Sequence, residues 1–391
     1  MTGMNNSITN DMMHSWAMKE PLPEEITEKI VKHWVTGKAI ASPTKPVGEW
    51  TIDDMRAHLQ WAVDIEHYTI LYYMSAWFSI KDQGAEAARL IKSIVNQEML
   101  HMQSAANLAN AFGVNLTITP PLYGVPIPHL DFALNKVNPT EIFAPYSTEI
   151  GAFDVQRLNT MCIIEFPDWF EESDRRRLLS LAVDESATDD KYGSIGQLYD
   201  AIKSNLEEPQ IYEYFIPNRN QVDFFAGFYP EVQLKITDEG EDGLKQAKGL
   251  IDLIVAQGEG QLIEKGENPS NLAFPGENGP KQEGVPIRFQ NPVNDLLPNF
   301  DHFDKFTYLR GQSMPETWQL TTGSQAGKAA QKALLGHYAM FVCYMNALFG
   351  EEAFSLDIKS FGPYMFNIGA AVADCWRNGA LPVFSIPDSQ T

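Results

Sequence analysis

The stretch AEAARLIKSIVNQEMLHMQSAANLANAFG (85–113) carries the clearest structural pattern in the sequence. Apolar residues recur in it every three or four positions, which predicts one amphipathic helix over about 85–112 with Gly113 as its C-terminal stop. Glu98 and His101 interrupt the middle of the apolar stripe. Because side chains at positions i and i+3 share a helix face, both polar groups are predicted to point into the protein interior.

A second helix is predicted upstream, over about 51–80. Thr51 and Asp54 have the spacing of a capping box, which is typical of a helix start. The apolar stripe of this helix contains a carboxylate, Glu66. Two antiparallel helices with a short turn would bring Glu66 close to the Glu-x-x-His pair, and an ionised group in an apolar seam needs a partner or a metal. Di-iron and di-manganese carboxylate bundles supply their ligands in this way.

The alternative interpretation is chance, since a Glu-x-x-His pair arises easily in a chain of 391 residues. This pair is the only Glu-x-x-His in the sequence, and its position in a buried stripe opposite Glu66 favours a metal site. A rival, Asp64-x-x-His67, faces away from the stripe and is interpreted as solvated or packed on an insertion.

The remaining sequence predicts a mainly α fold: a helical bundle with a large, partly irregular insertion and extra C-terminal helices. Residues 1–50 are predicted to be an N-terminal extension, and 51–391 a single domain with its insertion at about 114–187 and 208–238. Short strands are considered within the second part of the insertion. Further helices are predicted at about 188–207, 240–264, 299–312, 324–348 and 359–377.

Two residues of the second half are candidate partners for the site. Glu259 lies at the edge of the apolar stripe of the 240–264 helix, and His302 begins a helix among aromatic residues. A lone histidine near aromatic rings is more often a core residue than a ligand, so both readings of His302 stay open. Glu165 is a weak candidate for a general base, and a capping or loop hydrogen bond is the preferred interpretation of its role.

Composition excludes several classes of function. The net charge of −22 argues against nucleic-acid or anionic-membrane binding, which depends on clustered Lys and Arg. Three separated cysteines indicate neither a disulfide framework nor a thiolate zinc site. With no signal-peptide pattern and no long apolar run, a cytoplasmic location is expected. No nucleotide-binding motif or nucleophile elbow is present, and neither a nucleotide nor haem is predicted.

Several segments resemble one known family. They match the ferritin-like domain of the violacein-pathway iminophenyl-pyruvate dimer synthase and its stand-alone relatives, over roughly 51–350. The segments are HLQWAVDIEHYTILYYMSAWFSI (58–80), NQEMLHMQSAANLANAFG (96–113), YGSIGQLYDAI (192–202), NQVDFF (220–225), IVAQGEG (254–260) and DHFDKF (301–306). The resemblance implies a ferritin-like, metal-binding bundle. It implies as ligands the matching positions Glu66, Glu98, His101, Glu259 and His302.

The sequence departs from that family at two positions. Gln197 and Ala256 stand where relatives usually carry Glu. If position 197 belongs to the site, a neutral amide has replaced an anionic ligand and would bind hard cations more weakly. Gln197 also lies opposite the apolar stripe of its helix, so it is a doubtful ligand. A mononuclear and a dinuclear site both remain open.

The Glu/His set suits iron (one or two ions) or manganese. The leading hypothesis is a metal-dependent oxidase or oxygenase of small-molecule metabolism, with amino-acid-derived molecules as one class of substrate to consider. The alternatives are metal storage and a metal-binding or partner-binding protein without catalysis. A homo-oligomer is also considered.

Aromatic residues of the insertion are interpreted first as core and second as the lining of a pocket for an aromatic molecule; they are Trp169, Phe170, Tyr212, Tyr214, Phe215, Phe224, Phe225, Phe228 and Tyr229.

Overall fold

The structure is a computed structural model. It describes residues 45–135, 138–167, 191–258, 285–290, 295–321, 323–350 and 361–385. Within these ranges the chain is helical, and no strand forms beyond two isolated bridges, so the expected mainly α class is confirmed. Ten α-helices are present in the described ranges: α1 (Ile52–Ser79), α2 (Glu86–Ala111), α3 (Pro139–Ile142), α4 (Val155–Ile164), α5 (Ile195–Asn205), α6 (Pro209–Tyr212), α7 (Gly240–Gln257), α8 (His302–Arg310), α9 (Gln325–Phe349) and α10 (Phe361–Arg377).

The long helices α1 and α2 form the frame of the bundle. Thr51 caps α1 with the predicted capping box: its hydroxyl accepts from the amide of Asp54, and the Asp54 carboxylate accepts from the Thr51 amide. Gly113 follows α2 at φ +74°, a conformation that favours glycine. Because α1 residues from 56 to 69 contact α2 in reverse order, the two helices run antiparallel, as predicted.

The other helices surround this pair. α7 packs on α2, α5 on α1, and α8 against both α4 and α2. α9 and α10 form a hairpin, and α10 lies on α1 through the indole of Trp376, which donates to the carbonyl of Ser75 at 2.9 Å. One continuous apolar core fills the space between the helices.

Polar side chains of α2 hold the irregular insertion by hydrogen bonds to its backbone, and no β-ladder does so among the described residues. The amide of Asn107, buried on α2, donates to the carbonyls of Val222 and Leu234 at 2.7 Å each. Gln103 of the same helix accepts from the amide of Phe224 at 2.6 Å. These bonds satisfy the backbone of the irregular segment, and the strands considered for 208–238 do not form among the described residues.

Helix boundaries differ from the predictions mainly at chain turns. The 188–207 helix begins only after Ser194, whose hydroxyl caps α5. The 240–264 helix ends at Gln257, and residues 259–264 lie outside the described ranges. The described ranges contain no helix that is both long and apolar enough to cross a membrane. The division into an N-terminal extension and a single domain stays a prediction.

Candidate metal centre

Glu66, Glu98 and His101 meet between α1 and α2, at mid-height of the helix pair. The Nδ1 atom of His101 lies 3.7 Å from Oε2 of Glu66 and 3.6 Å from Oε2 of Glu98. All three side chains are at most 1% exposed. The carboxylates thus occupy the buried face on which the apolar stripes are interrupted, and the sequence pattern and the geometry agree here.

Two more ligand-type residues arrive from helix ends. His302 is the first residue of α8, whose N-terminus is capped by the Asp301 carboxylate at 2.7 Å from the amide of Asp304. Glu165 follows the last residue of α4 as its C-cap. The Nδ1 atom of His302 lies 2.8 Å from Oε1 of Glu98 and 3.5 Å from Oε2 of Glu165, and both residues are fully buried.

The five residues form two half-sites around one shared carboxylate. Glu66 and His101 form what we call the His101 half-site, and Glu165 and His302 form the His302 half-site. Glu98 lies between them, with Oε2 towards His101 and Oε1 towards His302. The two imidazole rings are nearly parallel, with centroids 5.3 Å apart. One ligand atom each of Glu98, His101 and His302 lies within 4.8 Å of the others, so the arrangement can hold a cation beside Glu98.

The atoms that face the centre have no hydrogen-bond partner outside it. They are Oε2 of Glu66, Oε1 of Glu98, Nδ1 of His101, Oε2 of Glu165 and Nδ1 of His302. Leaving buried polar atoms unpaired costs several kcal/mol, about 1–3 for each group. Among the described residues, no Lys or Arg pairs with these three carboxylates. A cation bound in the centre would satisfy both the unpaired atoms and the negative charge.

The separations fit a metal ion as well. Nitrogen and oxygen ligands lie about 2.0–2.2 Å from a transition-metal ion, so two ligands on one ion stand about 3–4 Å apart. The three His–Glu separations of 3.5 to 3.7 Å fall within this span. Nδ1 of His302 and Oε1 of Glu98, 2.8 Å apart, are at hydrogen-bond distance, which a proton shared between them explains.

Protons partly offset the charge when no metal is bound. Burial alone would lower the pKa of His302, but the carboxylates of Glu165 and Glu98 raise it to about 9. Burial and the charge of Glu98 raise the pKa of Glu165 to about 7. They also raise the pKa of Glu66 well above its ordinary value.

Glu98 and His101 shift in the opposite direction. Burial would raise the pKa of Glu98, but the charge of His302 and bonds to both histidines outweigh it and hold that pKa well below its usual range. Burial lowers the pKa of His101, despite its bond to Glu98. His101 is therefore a neutral imidazole at neutral pH, while His302 is an imidazolium.

Three hydroxyls hold the carboxylates in place. Tyr199 of α5 donates to Oε1 of Glu66 at 2.6 Å, and Tyr73 of α1 donates to Oε1 of Glu165 at 2.5 Å. Thr69 donates to Oε2 of Glu98 at 2.9 Å. Each carboxylate therefore has one oxygen engaged by a hydroxyl, which leaves its remaining capacity for the centre. The sequence interpretation missed these roles.

Gly258, directly after α7, borders the centre beside both histidines. A methyl group on its α-carbon would lie 3.2 Å from Cε1 of His101 and 3.5 Å from Nδ1 of His302. A side chain here would therefore crowd the space between the two rings. The glycine of the QGEG segment keeps that space open.

The structure corrects the interpretation of Glu165. Its carboxylate was expected to cap a helix or bond to a loop, but it points into the centre, because α4 ends just before it and leaves the side chain directed at α1 and α8. Glu259 lies outside the described residues, so its predicted role as a ligand stays a prediction.

Gln197 and the rival pair lie away from the centre. The amide of Gln197 accepts from the backbone of Gly193 at 2.9 Å and donates to Asn135 at 2.9 Å, which are local contacts at the start of α5. His67 is buried on the opposite side of α1, where the hydroxyl of Tyr338 lies 3.1 Å from its Nε2 atom. His67 is thus packed and not solvated, and neither residue contributes to the centre.

The aromatic residues of the insertion mostly pack on helices. Phe215 lies against Phe112 of α2, and Phe224 stacks on Phe361 of α10 with centroids 4.0 Å apart. These contacts favour the core interpretation for both insertion residues. Trp169 and Phe170 lie outside the described residues.

A helical bundle with Glu and His side chains converging from four helices defines the class of ferritin-like proteins. Comparison with known proteins agrees. The ferritin-like family model matches residues 59–273, more than half of the chain, and the chain belongs to this family. A crystal structure of a ferritin-like protein from Caulobacter vibrioides is similar at 33% identity, with a TM-score of 0.67 over 87% of this chain and 100% of that one. No curated protein matches the sequence.

Proposed function

We propose that this protein is a non-haem metal enzyme that binds a pair of iron or manganese ions and oxidises or oxygenates a small molecule. The observation that carries the proposal is the convergence of five buried ligand atoms, one of them from Glu98, none of which has a partner outside the centre. Iron or manganese bound by such a set supplies redox and Lewis-acid chemistry, including the activation of dioxygen.

The chain itself would do three things in such a reaction. Glu66 and His101 would hold one ion, Glu165 and His302 the other, and Glu98 would contact both. The hydroxyls of Thr69, Tyr73 and Tyr199 orient the carboxylates. The ligand side chains are at most 1% exposed, so the surrounding core excludes bulk water from the centre.

The resemblance to the ferritin-like domain of iminophenyl-pyruvate dimer synthase makes amino-acid-derived aromatic molecules the first class to test. The protein is expected to act in the cytoplasm, without nucleic acid or membrane partners, and a homo-oligomer is part of the proposal.

Metal content tests the site. The chain would be freed of metal with a chelator and reloaded anaerobically with Fe²⁺ or Mn²⁺, then analysed for bound metal. We expect two ions per chain in the wild type and almost none in Glu98→Gln, because Glu98 serves both positions. Asp64→Asn is the matched control: it makes the same change on a half-buried carboxylate of α1 that bonds Gln60 at 3.0 Å, away from the centre. Equal metal content in both variants would contradict the site.

Oxygen uptake tests the activity. The iron-loaded protein, a reductant and candidate aromatic amino acids should consume dioxygen in a substrate-dependent way, and the metal-free protein should not. Bound metal without such uptake would instead support a binding protein without catalysis. A large cage in size-exclusion chromatography, with many ions per chain, would support storage.

A further inference from the structure

Both histidines of the centre are held from behind by a glutamine amide. The Nε2 atom of His101 lies 3.0 Å from Oε1 of Gln257, whose own nitrogen donates to the carbonyl of Phe289. Because that carbonyl only accepts, the oxygen end of the amide must face His101. Nε2 of His101 therefore carries a proton, and Nδ1 presents its lone pair to the centre.

Gln97 contacts His302 in the corresponding way, but its second bonding partner is Lys305. Its Oε1 atom lies 3.3 Å from Nε2 of His302 and accepts from the ammonium of Lys305 at 3.1 Å. An ammonium only donates, so this amide is also oriented with its oxygen towards the ring. Nε2 of His302 therefore carries a proton as well, and again Nδ1 faces the centre.

The groups that bond to the two glutamines differ in charge. Gln257 bonds a neutral carbonyl, and the phenol of Tyr229 beside it is also neutral. Gln97 bonds a cation that is itself paired with Asp295 at 2.8 Å, and both side chains of this pair are completely buried. An ion pair with no exposure to solvent acts at close range and is little screened by salt.

We propose that the buried Asp295–Lys305 pair, acting through Gln97, makes the His302 half-site the weaker of the two metal positions, so that metal binds at His101 first. This inference rests on the proposed function. It assigns Gln97 and Lys305 as positioning residues that also set the difference in affinity between the half-sites.

The physical reason is the strength of the hydrogen bond behind each ring. An acceptor that stabilises the N–H of an imidazole increases the electron density at the opposite nitrogen, and such partners tune metal affinity. Gln97 shares its oxygen between His302 and an ammonium, and the bond to His302 is the longer, 3.3 Å against 3.0 Å. Nδ1 of His302 is therefore the poorer donor to a metal.

The experiment is a titration of the metal-free, full-length chain with Co²⁺, followed by calorimetry and by the visible absorption of the bound ion. We expect two steps in the wild type. His101→Ala should remove the tighter step and His302→Ala the weaker one. This pair of variants assigns each step to its half-site.

The decisive variant removes the ion pair as a unit. Lys305→Met combined with Asp295→Leu replaces the buried pair by apolar side chains without leaving a lone charge, a change that proteins often tolerate. The weaker step should tighten by about tenfold, the scale of second-layer effects on metal affinity. The tighter step should not change, and it serves as the internal measure of intact folding.

Gln97→Glu distinguishes an effect of Gln97 on the metal affinity of the His302 half-site from a purely structural role. A carboxylate can still accept from both His302 and Lys305, and it is a stronger acceptor than an amide. The weaker step should tighten and its Co²⁺ absorption should shift, whereas Gln97→Leu should weaken the same step by about 10–100-fold. A purely structural role would give a loss in both variants.

The outcomes separate the two proposals. No Co²⁺ binding by the wild type would overturn the proposed function. Two bound Co²⁺ ions of equal affinity, or a double variant that leaves both steps unchanged, would overturn the inference alone. Tightening confined to the His302 step would support it.

Discussion

The two half-sites of the centre are anchored in different ways. Glu66 and His101 lie in the middle of α1 and α2, where backbone hydrogen bonds on both sides fix their positions. Glu165 and His302 lie at helix ends, directly after α4 and at the first residue of α8. Ends of helices have unpaired backbone groups and depend on caps and side-chain bonds. We infer that the His101 half-site is rigid and that the His302 half-site is adjustable.

The difference extends to the protons that each half-site holds. In the His101 half-site, the imidazole is neutral and only Glu66 has a raised pKa. In the His302 half-site, the imidazole is protonated and the pKa of Glu165 is raised to about 7. Metal must displace these protons, so the adjustable half-site has to lose the proton of His302 as well as that of Glu165, whereas the rigid one loses only that of Glu66.

The largest expected effect is therefore that of pH on metal affinity. Ligand nitrogens bind metal only when unprotonated, and His302 keeps its proton until about pH 9. Below that pH the proton opposes binding, so affinity at the His302 half-site should rise about tenfold per pH unit, or about 100-fold from pH 7 to 9. Calorimetric titrations with Mn²⁺ at several pH values, in buffers of different ionisation enthalpy, would measure both affinity and proton release.

His302→Ala is the control for this prediction. Glu66 also releases a proton when metal binds, so the affinity of the His101 half-site rises with pH too. The component of the pH dependence that levels off near pH 9 comes from His302. That component should vanish in the variant. An unchanged profile up to pH 9 would show that another group carries it.

The second prediction compares the two tyrosines. Tyr73→Phe and Tyr199→Phe each remove one bond of about 2.5–2.6 Å to a carboxylate, at Glu165 and Glu66 respectively. A hydrogen bond to a charged group contributes about 1.5–3 kcal/mol, so each variant should weaken its own metal step by about 10–100-fold. The loss should be larger for Tyr73→Phe, because Glu165 has no helix interior to hold it. Equal losses would contradict the contrast between rigid and adjustable half-sites.

The same contrast explains which residues the sequence revealed. Glu98 and His101 could be predicted because they interrupt a periodic apolar stripe within an uninterrupted helix, and Glu66 does so on α1. Glu165 could not, because the periodicity stops with α4 just before it. Its direction depends on where the chain turns at Phe166 and Pro167, and no local pattern encodes that direction.

The supporting residues were hidden for a different reason. Gln97 and Gln257 are polar residues next to the Glu98 and Gly258 positions, and their role appears only when distant helices pack together. Gln197 was already a doubtful ligand in the sequence, and its bonds to Gly193 and Asn135 account for its position away from the centre. Periodicity thus predicts faces of helices, while contacts between helix ends depend on the tertiary fold.

A third prediction concerns the cap of α8. Asp301→Ala removes the bond to the amide of Asp304 and should lower the free energy of unfolding by about 1 kcal/mol. It should also weaken the His302 step by severalfold, because His302 is the residue next to the cap. Thr51→Ala removes the cap of α1 at a similar cost, far from the centre, and should leave both metal steps unchanged. Chemical denaturation and Co²⁺ titration would measure the two effects.

If Asp301→Ala and Thr51→Ala lower stability equally and neither changes metal binding, the helix end does not position His302. That result would show that the His302 half-site is as rigid as the His101 half-site. It would contradict the inferred difference in rigidity between the two.

The smallest predicted effect tests what the half-sites share. The hydroxyl of Thr69 lies 2.9 Å from both the carbonyl of Glu66 and Oε2 of Glu98 and shares its single proton between these two acceptors. Thr69→Val keeps the shape and removes the bond, which contributes about 1 kcal/mol, so affinity should fall about fivefold. Both metal steps should weaken together, because a carboxylate turns as one unit and Glu98 faces both histidines. Thr69→Ser keeps the hydroxyl and should bind Co²⁺ as the wild type does; weakening of a single step in Thr69→Val would show that Glu98 serves only one half-site.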